Sequence, residues 1–151
     1  MHLLPKLIFS VIFGVACSSV QAQIDSARLG LFQKLPSAME SVANPITEEK
    51  VRLGRMLFFD KRLSKNHDLS CNSCHGLETF GVDNKPLSNG HLDQLGGRNS
   101  PSVYNAAGHV AQFWDGRAVD VEEQAKGPVL NPVEMAMPSE AAVLKVLNSI
   151  P

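Results

Sequence analysis

The stretch that decides the fold is Cys71-Asn72-Ser73-Cys74-His75, in which two cysteines separated by two residues are followed directly by a histidine. Two thiols at this spacing match the two vinyl groups of a haem, and the adjacent imidazole reaches its iron. The motif therefore predicts one covalently bound haem c that is held by Cys71, Cys74 and His75.

Three other kinds of site also use paired cysteines: a structural disulfide, a redox-active dithiol and one half of a zinc site. A zinc site needs a further ligand nearby, and a thioredoxin-like dithiol needs a strand and helix around the motif that the sequence does not indicate. The histidine directly after Cys74 and the export signal described next favour haem.

The N-terminus has the pattern of an export signal. Lys6 precedes the apolar run from Leu7 to Cys17, and Val20-Gln21-Ala22 supplies the small residues of a cleavage site. We therefore predict a cleaved secretory signal at residues 1–22, a haem domain at residues 23–151 and a location in the periplasm.

Two alternatives for this N-terminal segment remain open. The apolar run is shorter than the about 20 residues that a membrane-spanning helix needs, so no stable membrane span is expected, but an uncleaved anchor is an alternative. A lipid on Cys17 is the other, although Gly14-Val15-Ala16-Cys17 lacks the large apolar residue with which a lipobox begins.

The composition excludes several classes of protein. The chain has 151 residues, of which 44% are hydrophobic and 19% charged, and its formal net charge is -1. Such a chain is neither a disordered polyelectrolyte nor a basic nucleic-acid-binding domain, so no nucleic acid is expected among its partners. Its length is typical of one globular domain.

The sequence predicts a mostly α fold, a c-type cytochrome-like haem domain with long loops. No stretch alternates apolar and polar residues as a half-buried strand does. Residues of the type that caps helices precede four helical segments: Asp25, Thr47, Asp120 and Ser139. The segment from Cys71 through Gly108 contains six glycines and two prolines, which predicts loops wrapped around a cofactor.

The extents of these helices follow from apolar spacing and from breaker residues. The first is expected to end before Pro36, and the second to bury Val51, Leu57 and Phe58. The third is expected to stop at Gly127-Pro128.

The sixth ligand of the iron separates an electron carrier from an enzyme that must open that position. On spacing alone, Met135 or Met137 suits a simple electron-transfer cytochrome. His91 is the other candidate, because a ligand between Gly90 and the pair Gly96-Gly97 could swing away from iron at little cost. From the residues alone, His91 is equally interpreted as a solvent-facing loop histidine.

Several segments in a fixed order resemble a known family, the bacterial di-haem cytochrome c peroxidases and their MauG-type relatives. The matching segments, between about Leu53 and Ser149, are Leu53 to Asp60, Arg62-Leu63-Ser64, the haem motif, Arg98 to Val103, Gln112 to Ala118, Glu123-Gln124-Ala125 and Gly127-Pro128 through Met135. The match is to the N-terminal, peroxidatic half of the family, so a second haem domain is expected beyond the end of this chain.

The resemblance implies a role for each site residue. His75 is the permanent axial ligand of the haem iron, and His91 is a removable one. Glu134 is the acid-base residue that moves a proton between the two peroxide oxygens, and Gln124 is an amide of the distal pocket that holds the peroxide. On the residues alone, Glu134 is an ordinary surface carboxylate and Gln124 an outer-face polar residue.

Three further residues have candidate roles outside the peroxide pocket. Trp114 resembles the residue on the electron path between the haems, a role compatible with core packing. Asn99 resembles a calcium ligand, since an amide oxygen suits that hard cation. Arg117 is interpreted as a partner of a haem propionate or as half of a structural salt bridge.

The function that the resemblance implies is the reduction of hydrogen peroxide to water, with electrons from a small cytochrome c or a copper protein of the cupredoxin type. Two alternatives remain: a single-haem electron-transfer protein, and a MauG-like oxidase that matures a partner protein. A homodimer is left open.

Overall fold

The computed structural model describes residues 25–150. The predicted signal at residues 1–22, with Cys17, lies outside the described residues. By its internal contacts the chain divides into two units, one ending at Pro36 and the other beginning at Ser37.

In the first unit the described part contains one short helix, α1 (Ser26–Leu29). The predicted cap is confirmed, because the Asp25 side chain accepts a hydrogen bond from the Ala27 N–H at 3.0 Å. The prediction of a helix that continues close to Pro36 is wrong, since the last helical residue is Leu29. A helix of this length has few internal hydrogen bonds to offset the cost of nucleation.

The second unit begins its regular structure with α2 (Glu48–Phe59), capped as predicted by Thr47, whose hydroxyl accepts from the Lys50 N–H at 3.3 Å. Leu57 and Phe58 are half-buried near the C-terminal end of α2. The prediction for Val51 is wrong, because its side chain is 59% exposed. Only the last turns of α2 use the apolar face that the spacing indicates.

A buried serine sets the path of the chain into the haem motif. After the 3₁₀ turn Lys61–Leu63, the Ser64 hydroxyl donates to the Lys61 carbonyl at 2.9 Å and accepts from the Leu69 N–H at 3.0 Å. Ser64 is 0% exposed, so these bonds satisfy a hydroxyl that water does not reach. They fix the segment that leads into α3 (Cys71–Cys74), which lies against α2.

The middle third of the chain is mostly loop, as predicted. After α3 the chain makes three 3₁₀ turns, at Leu77–Thr79, His91–Asp93 and Ala106–Gly108. Within residues 25–150, strand-like pairing is limited to two isolated bridges, Asn89 with Leu95 and Gln112 with Ala118. The prediction of a mostly α fold with long loops is confirmed.

The next helix, α4 (Val121–Leu130), begins at the predicted cap, where the Asp120 carboxylate accepts from the Glu123 N–H at 2.8 Å. The prediction that Gly127-Pro128 stops the helix is wrong, because α4 continues to Leu130. Pro128 lacks one N–H, but its carbonyl accepts from Met135 at 3.1 Å, so packing of the following loop holds the last turn.

The last helix, α5 (Glu140–Leu147), begins at Ser139, whose hydroxyl accepts from the Ala142 N–H at 3.2 Å, as predicted. It packs against the Lys61–Leu63 turn. No helix within residues 25–150 is both long and apolar enough to cross a membrane.

The apolar core of the described residues is small and lies where the loop after α4 meets the segment before α3. Its buried members are Leu63, Ala118, Met135, Ala136 and Met137. The Met135 carbonyl accepts from the Lys65 N–H at 2.9 Å, which joins these two segments. The loop after α4 is therefore held on one side by the entrance to the haem motif.

Candidate haem site

The His75 ring is held in one orientation by two backbone carbonyls. Its Nδ1 lies 3.0 Å from the Pro101 carbonyl oxygen and 3.2 Å from that of Gly81. Because both partners are acceptors, Nδ1 must carry the proton and donate to them. The other ring nitrogen, Nε2, then has the free lone pair that an axial ligand needs.

The two segments that supply these carbonyls are tied to each other. Gly81 has a positive φ of +75°, and a Cβ there would lie 2.9 Å from the Val103 nitrogen, so this close approach requires glycine. The Ser100 hydroxyl donates to the Asp83 carboxylate at 3.1 Å. These contacts fix the two acceptors on which the His75 orientation depends.

Asp83 is charged at neutral pH in this arrangement. Partial burial alone would raise the pKa of Asp83, but hydrogen bonds from the Lys85 backbone N–H and the Ser100 hydroxyl outweigh it and hold this pKa below its ordinary value. The charge stabilises the loop that carries Gly81.

Cys71 and Cys74 are half-buried, and no disulfide joins them. Burial raises the pKa of both thiols, and the charges of Asp83 and Glu134 raise that of Cys74 further. Both side chains are therefore neutral thiols at neutral pH. A redox-active dithiol needs the opposite, a thiol with a lowered pKa.

His91 is buried, with 6% of its surface exposed, so its interpretation as a solvent-facing loop histidine is wrong. Its backbone N–H donates to two carbonyl oxygens, that of Glu134 at 2.8 Å and that of Val133 at 3.0 Å. Its ring Nδ1 is buried and has no hydrogen-bond partner among residues 25–150. The backbone of His91 is thus anchored while its ring is not.

The glycine before His91 serves close packing. A Cβ on Gly90 would lie 1.9 Å from the Val133 carbonyl oxygen, so any larger residue would separate the two segments. The close packing at Gly90 requires glycine for the approach of two backbones, and the release of His91 by movement of its loop stays a prediction.

Glu134 is half-buried in the loop after α4, where its backbone carbonyl accepts from the His91 N–H, so it is less exposed than an ordinary surface carboxylate. Its Oε1 accepts a hydrogen bond from the Asn131 side-chain amide at 2.8 Å. Its charge contributes to the raised pKa of the Cys74 thiol.

Gln124 is half-buried on α4, where the spacing of four residues places it on the same side as Pro128. Within residues 25–150, no side-chain hydrogen bond links Gln124 to the other site residues. The structure thus brings together His91, Glu134 and Cys74, and leaves Gln124 on the helix from which the Glu134 loop departs.

Trp114 and Asn99 lie next to each other in the structure. The Trp114 Nε1–H donates to the Asn99 backbone carbonyl at 3.0 Å. The expectation that Trp114 packs in the core is wrong, because this residue is 61% exposed. Both residues line a shallow, open cleft that also includes Pro86 and Leu87.

Arg117 forms a salt bridge with Asp115, which confirms one of the two roles predicted for it. Its guanidinium lies 2.8 Å from the Asp115 carboxylate and 3.5 Å from the centre of the Phe113 ring. Hydrogen bonds from Arg117 and Arg98 lower the pKa of Asp115. Contact with a haem propionate stays a prediction.

The residues present fit a covalently bound haem c. Two unbridged neutral thiols lie one helical turn apart, the His75 Nε2 is set up as a ligand, and the His91 ring is buried with an orphaned nitrogen. Among residues 25–150 no cluster of three or more His, Cys, Asp or Glu side chains forms a metal site of the zinc type.

The sequence reasoning assigned no role to three residues that hold the site, Gly81, Pro101 and Asn131. The pair Asn131-Pro132 is a turn signal, and the Asn131 Oδ1 accepts from the Val133 N–H at 3.0 Å in such a turn. No comparable signal indicates which carbonyls meet the His75 ring, because that contact is set by the tertiary fold.

Comparisons with known proteins show the family of this chain. Residues 48–151 match the sequence profile of the di-haem cytochrome c peroxidases. Cytochrome c551 peroxidase of Pseudomonas aeruginosa is 47% identical over 151 residues, which cover 99% of this chain and 43% of that protein. Cytochrome c551 peroxidase of Nitrosomonas europaea is 52% identical over 107 residues, which cover 71% of this chain and 32% of that protein.

A solved structure gives the same result. The crystal structure of a MauG-like protein associated with microbial copper homeostasis matches with a TM-score of 0.66 and 37% identity, over 76% of this chain and 33% of that one. The chain spans less than half the length of each of these relatives. From the profile match and these identities, the chain belongs to the di-haem cytochrome c peroxidase family.

Proposed function

We propose that this chain carries the peroxidatic haem domain of a periplasmic enzyme that reduces hydrogen peroxide to water. In this proposal residues 1–22 are a cleaved signal, residues 23–151 form the domain with one haem c, and a second haem domain follows. The electrons come from a small cytochrome c or a cupredoxin. The family and its peroxidase relatives support the reaction.

One observation carries the proposal: the candidate ligand and the candidate acid-base residue share a backbone hydrogen bond. The His91 N–H donates to the Glu134 carbonyl at 2.8 Å. The Cys74 sulfur lies 3.9 Å from the carbonyl oxygen of Asn89, two residues before His91. One connected set of loops therefore includes a haem-attachment cysteine, a buried histidine and a carboxylate.

The haem, when bound, supplies the redox-active iron at which peroxide is reduced. Cys71 and Cys74 would hold it through thioethers, and the His75 Nε2 would be its permanent ligand. His91 would be the removable ligand, because its backbone is anchored by two hydrogen bonds and its ring Nδ1 has no partner among residues 25–150.

Glu134 moves the proton in this proposal. Peroxide cleavage needs a proton to leave one oxygen and arrive at the other, so that water departs, and a nearby carboxylate does both. The Asn131 amide occupies Oε1, which leaves Oε2 for the exchange. The Gln124 amide holds the peroxide by hydrogen bonds.

The exposed pair Trp114 and Asn99 forms the boundary with the second domain in this proposal. Trp114 lies on the electron path, and the Asn99 side-chain oxygen is one ligand of a calcium ion. Arg117 pairs with a haem propionate in addition to Asp115. The open cleft beside Trp114 supports a surface that another domain covers.

The test is steady-state turnover of hydrogen peroxide by the haem-loaded full-length protein, with a reduced small cytochrome c and separately a reduced cupredoxin as donors. Peroxide-dependent oxidation of either donor is the expected result. A haem spectrum that is six-coordinate in both oxidation states and unchanged by peroxide would instead identify an electron carrier. The burial of Met135 and Met137 in the core supports packing roles for these side chains.

A second candidate is a MauG-like maturation oxidase, which the similarity to the MauG-like structure favours. In that case peroxide would lead to oxidised side chains on a partner protein without sustained turnover of a cytochrome donor. Mass spectrometry of candidate partners after peroxide treatment distinguishes the two enzymes.

A further inference from the structure

Asn131, at the end of α4, uses both halves of its side-chain amide. Nδ2 donates to the Glu134 Oε1 at 2.8 Å, and Oδ1 accepts from the Val133 N–H at 3.0 Å. Its backbone carbonyl also accepts from the Glu134 N–H at 3.0 Å and the Ala136 N–H at 2.9 Å. One residue therefore organises the whole turn that carries Glu134.

The same turn meets the loop of the candidate ligand. The carbonyls of Val133 and Glu134 accept the His91 N–H, and Gly90 lets the two backbones approach closely. The Gln94 side-chain amide adds a bond to the His91 carbonyl at 3.0 Å. Several hydrogen bonds therefore hold the backbone of the turn. The Glu134 carboxylate, in contrast, has one hydrogen-bond partner among residues 25–150, which is Asn131.

We propose that Asn131 is the positioning residue of Glu134: its Nδ2 holds one carboxylate oxygen and so directs the other towards the peroxide. This inference rests on the proposed function. An amide N–H suits the task because it donates to a carboxylate and never competes for the proton in transit. Its Oδ1 performs a separate task, which is to hold the turn.

Substitutions can separate these two tasks. N131D keeps an oxygen acceptor for the Val133 N–H but replaces the donor with a second carboxylate oxygen. N131S keeps a shorter acceptor, as in turns capped by serine, and has nothing that reaches Glu134. N66D is the matched control, because Asn66 is exposed and makes no side-chain hydrogen bond within residues 25–150.

The experiment measures kcat and KM for peroxide, thermal melting and the haem spectrum in the haem-loaded full-length protein. N131D and N131S are expected to lower kcat about 10- to 100-fold, the range set by one hydrogen bond to a charged group. We expect N131D to keep the haem spectrum of the wild type and to melt at a lower temperature at neutral pH, because two carboxylates then lie side by side. N66D is expected to match the wild type in every measurement.

The pH dependence distinguishes positioning from a structural role. Two adjacent carboxyl groups share one proton in acid, so the carboxyl introduced by N131D regains a donor there. The kcat deficit of N131D is expected to shrink between about pH 7.5 and about pH 5. N131S has no such proton to gain, so its deficit should stay constant.

Two results overturn the inference while the wild type turns over peroxide: a kcat within about twofold of the wild type in both variants, or an N131D deficit that does not change with pH. Absence of turnover in the wild type overturns the proposed function instead. In that case crystal structures of N131S and the wild type test the role of Asn131. We expect the Glu134 carboxylate to be displaced in N131S while the backbone stays unchanged. A carboxylate at its wild-type position contradicts it.

Discussion

The surroundings of His75 and of His91 hold their histidines in opposite ways. The His75 ring is fixed by two hydrogen bonds from Nδ1 to backbone carbonyls. His91 is fixed by two hydrogen bonds from its backbone N–H, and its ring Nδ1 has no partner among residues 25–150. A fixed ring suits a permanent ligand, and a free ring on a fixed backbone suits a removable one.

The difference shows how one loop-rich domain can combine a rigid and a movable ligand. A ring with hydrogen bonds on its second nitrogen loses them on leaving its position, at a net cost of about 1 kcal/mol for each bond. The His91 ring has no such bond on Nδ1 to lose, so within residues 25–150 packing holds it, and iron ligation belongs to the proposed function. We propose that this asymmetry is the physical basis of the two roles.

The largest expected effect comes from removing each histidine in turn. H75A removes the ring that the His75 surroundings orient, and we expect loss of most stable haem-loaded protein. H91A is expected to keep the haem content of the wild type, because both thioethers and His75 remain. Denatured intact mass and haem absorbance measure the difference. Equal haem loss in both variants would contradict the proposed difference between the two histidines.

The next effect concerns Glu134, the proposed acid-base residue beside His91. E134Q is expected to lower kcat for peroxide by about 10²- to 10⁴-fold, the range for general acid-base catalysis, with the haem spectrum intact. E78Q, the same change at an exposed position, is the matched control. Turnover of E134Q at the wild-type rate would rule out the proton-transfer role.

The backbone anchor of His91 is tested by Gly90. G90A places a Cβ 1.9 Å from the Val133 carbonyl oxygen, and we expect a loss of about 3 kcal/mol in the free energy of unfolding. G97A, at a position with nothing within 4 Å, is the control and should lie within about 0.5 kcal/mol of the wild type. Denaturant unfolding checks both, and similar stability would show that the two loops do not pack closely.

The smallest effect concerns Asp83, on the His75 side. Because its pKa is lowered in the fold, its charge contributes stability above the unfolded pKa of about 3.9, and this is lost as pH falls through the lower folded value. D83N should be slightly less stable than the wild type at neutral pH, and this difference should shrink in acid. Melting curves across pH test it, and a constant difference would contradict it.

Local signals were enough to predict part of the molecule. The haem motif and the caps at Asp25, Thr47, Asp120 and Ser139 depend on residues within one turn of each other, and the structure confirms all four caps. The loops of the middle third follow from glycine and proline content in the same way.

The rest depends on contacts between distant segments. The burial of His91 arises because Val133 and Glu134 cover it, and α4 passes Pro128 because the following loop bonds to its last turn. The exposure of Trp114 is equally a tertiary property. The spacing of residues along the chain does not predict any of these contacts. The candidate roles of the site residues came from the resemblance to a family.

The most direct test of the proposed asymmetry is the reaction of oxidised H91A with hydrogen peroxide, followed by optical and electron paramagnetic resonance spectra against the wild type. We expect H91A to keep its haem, to lose one axial ligand and to react with peroxide without prior reduction. A spectrum and reactivity identical to those of the wild type would contradict it, because His91 would then not be the ligand that controls access to the iron.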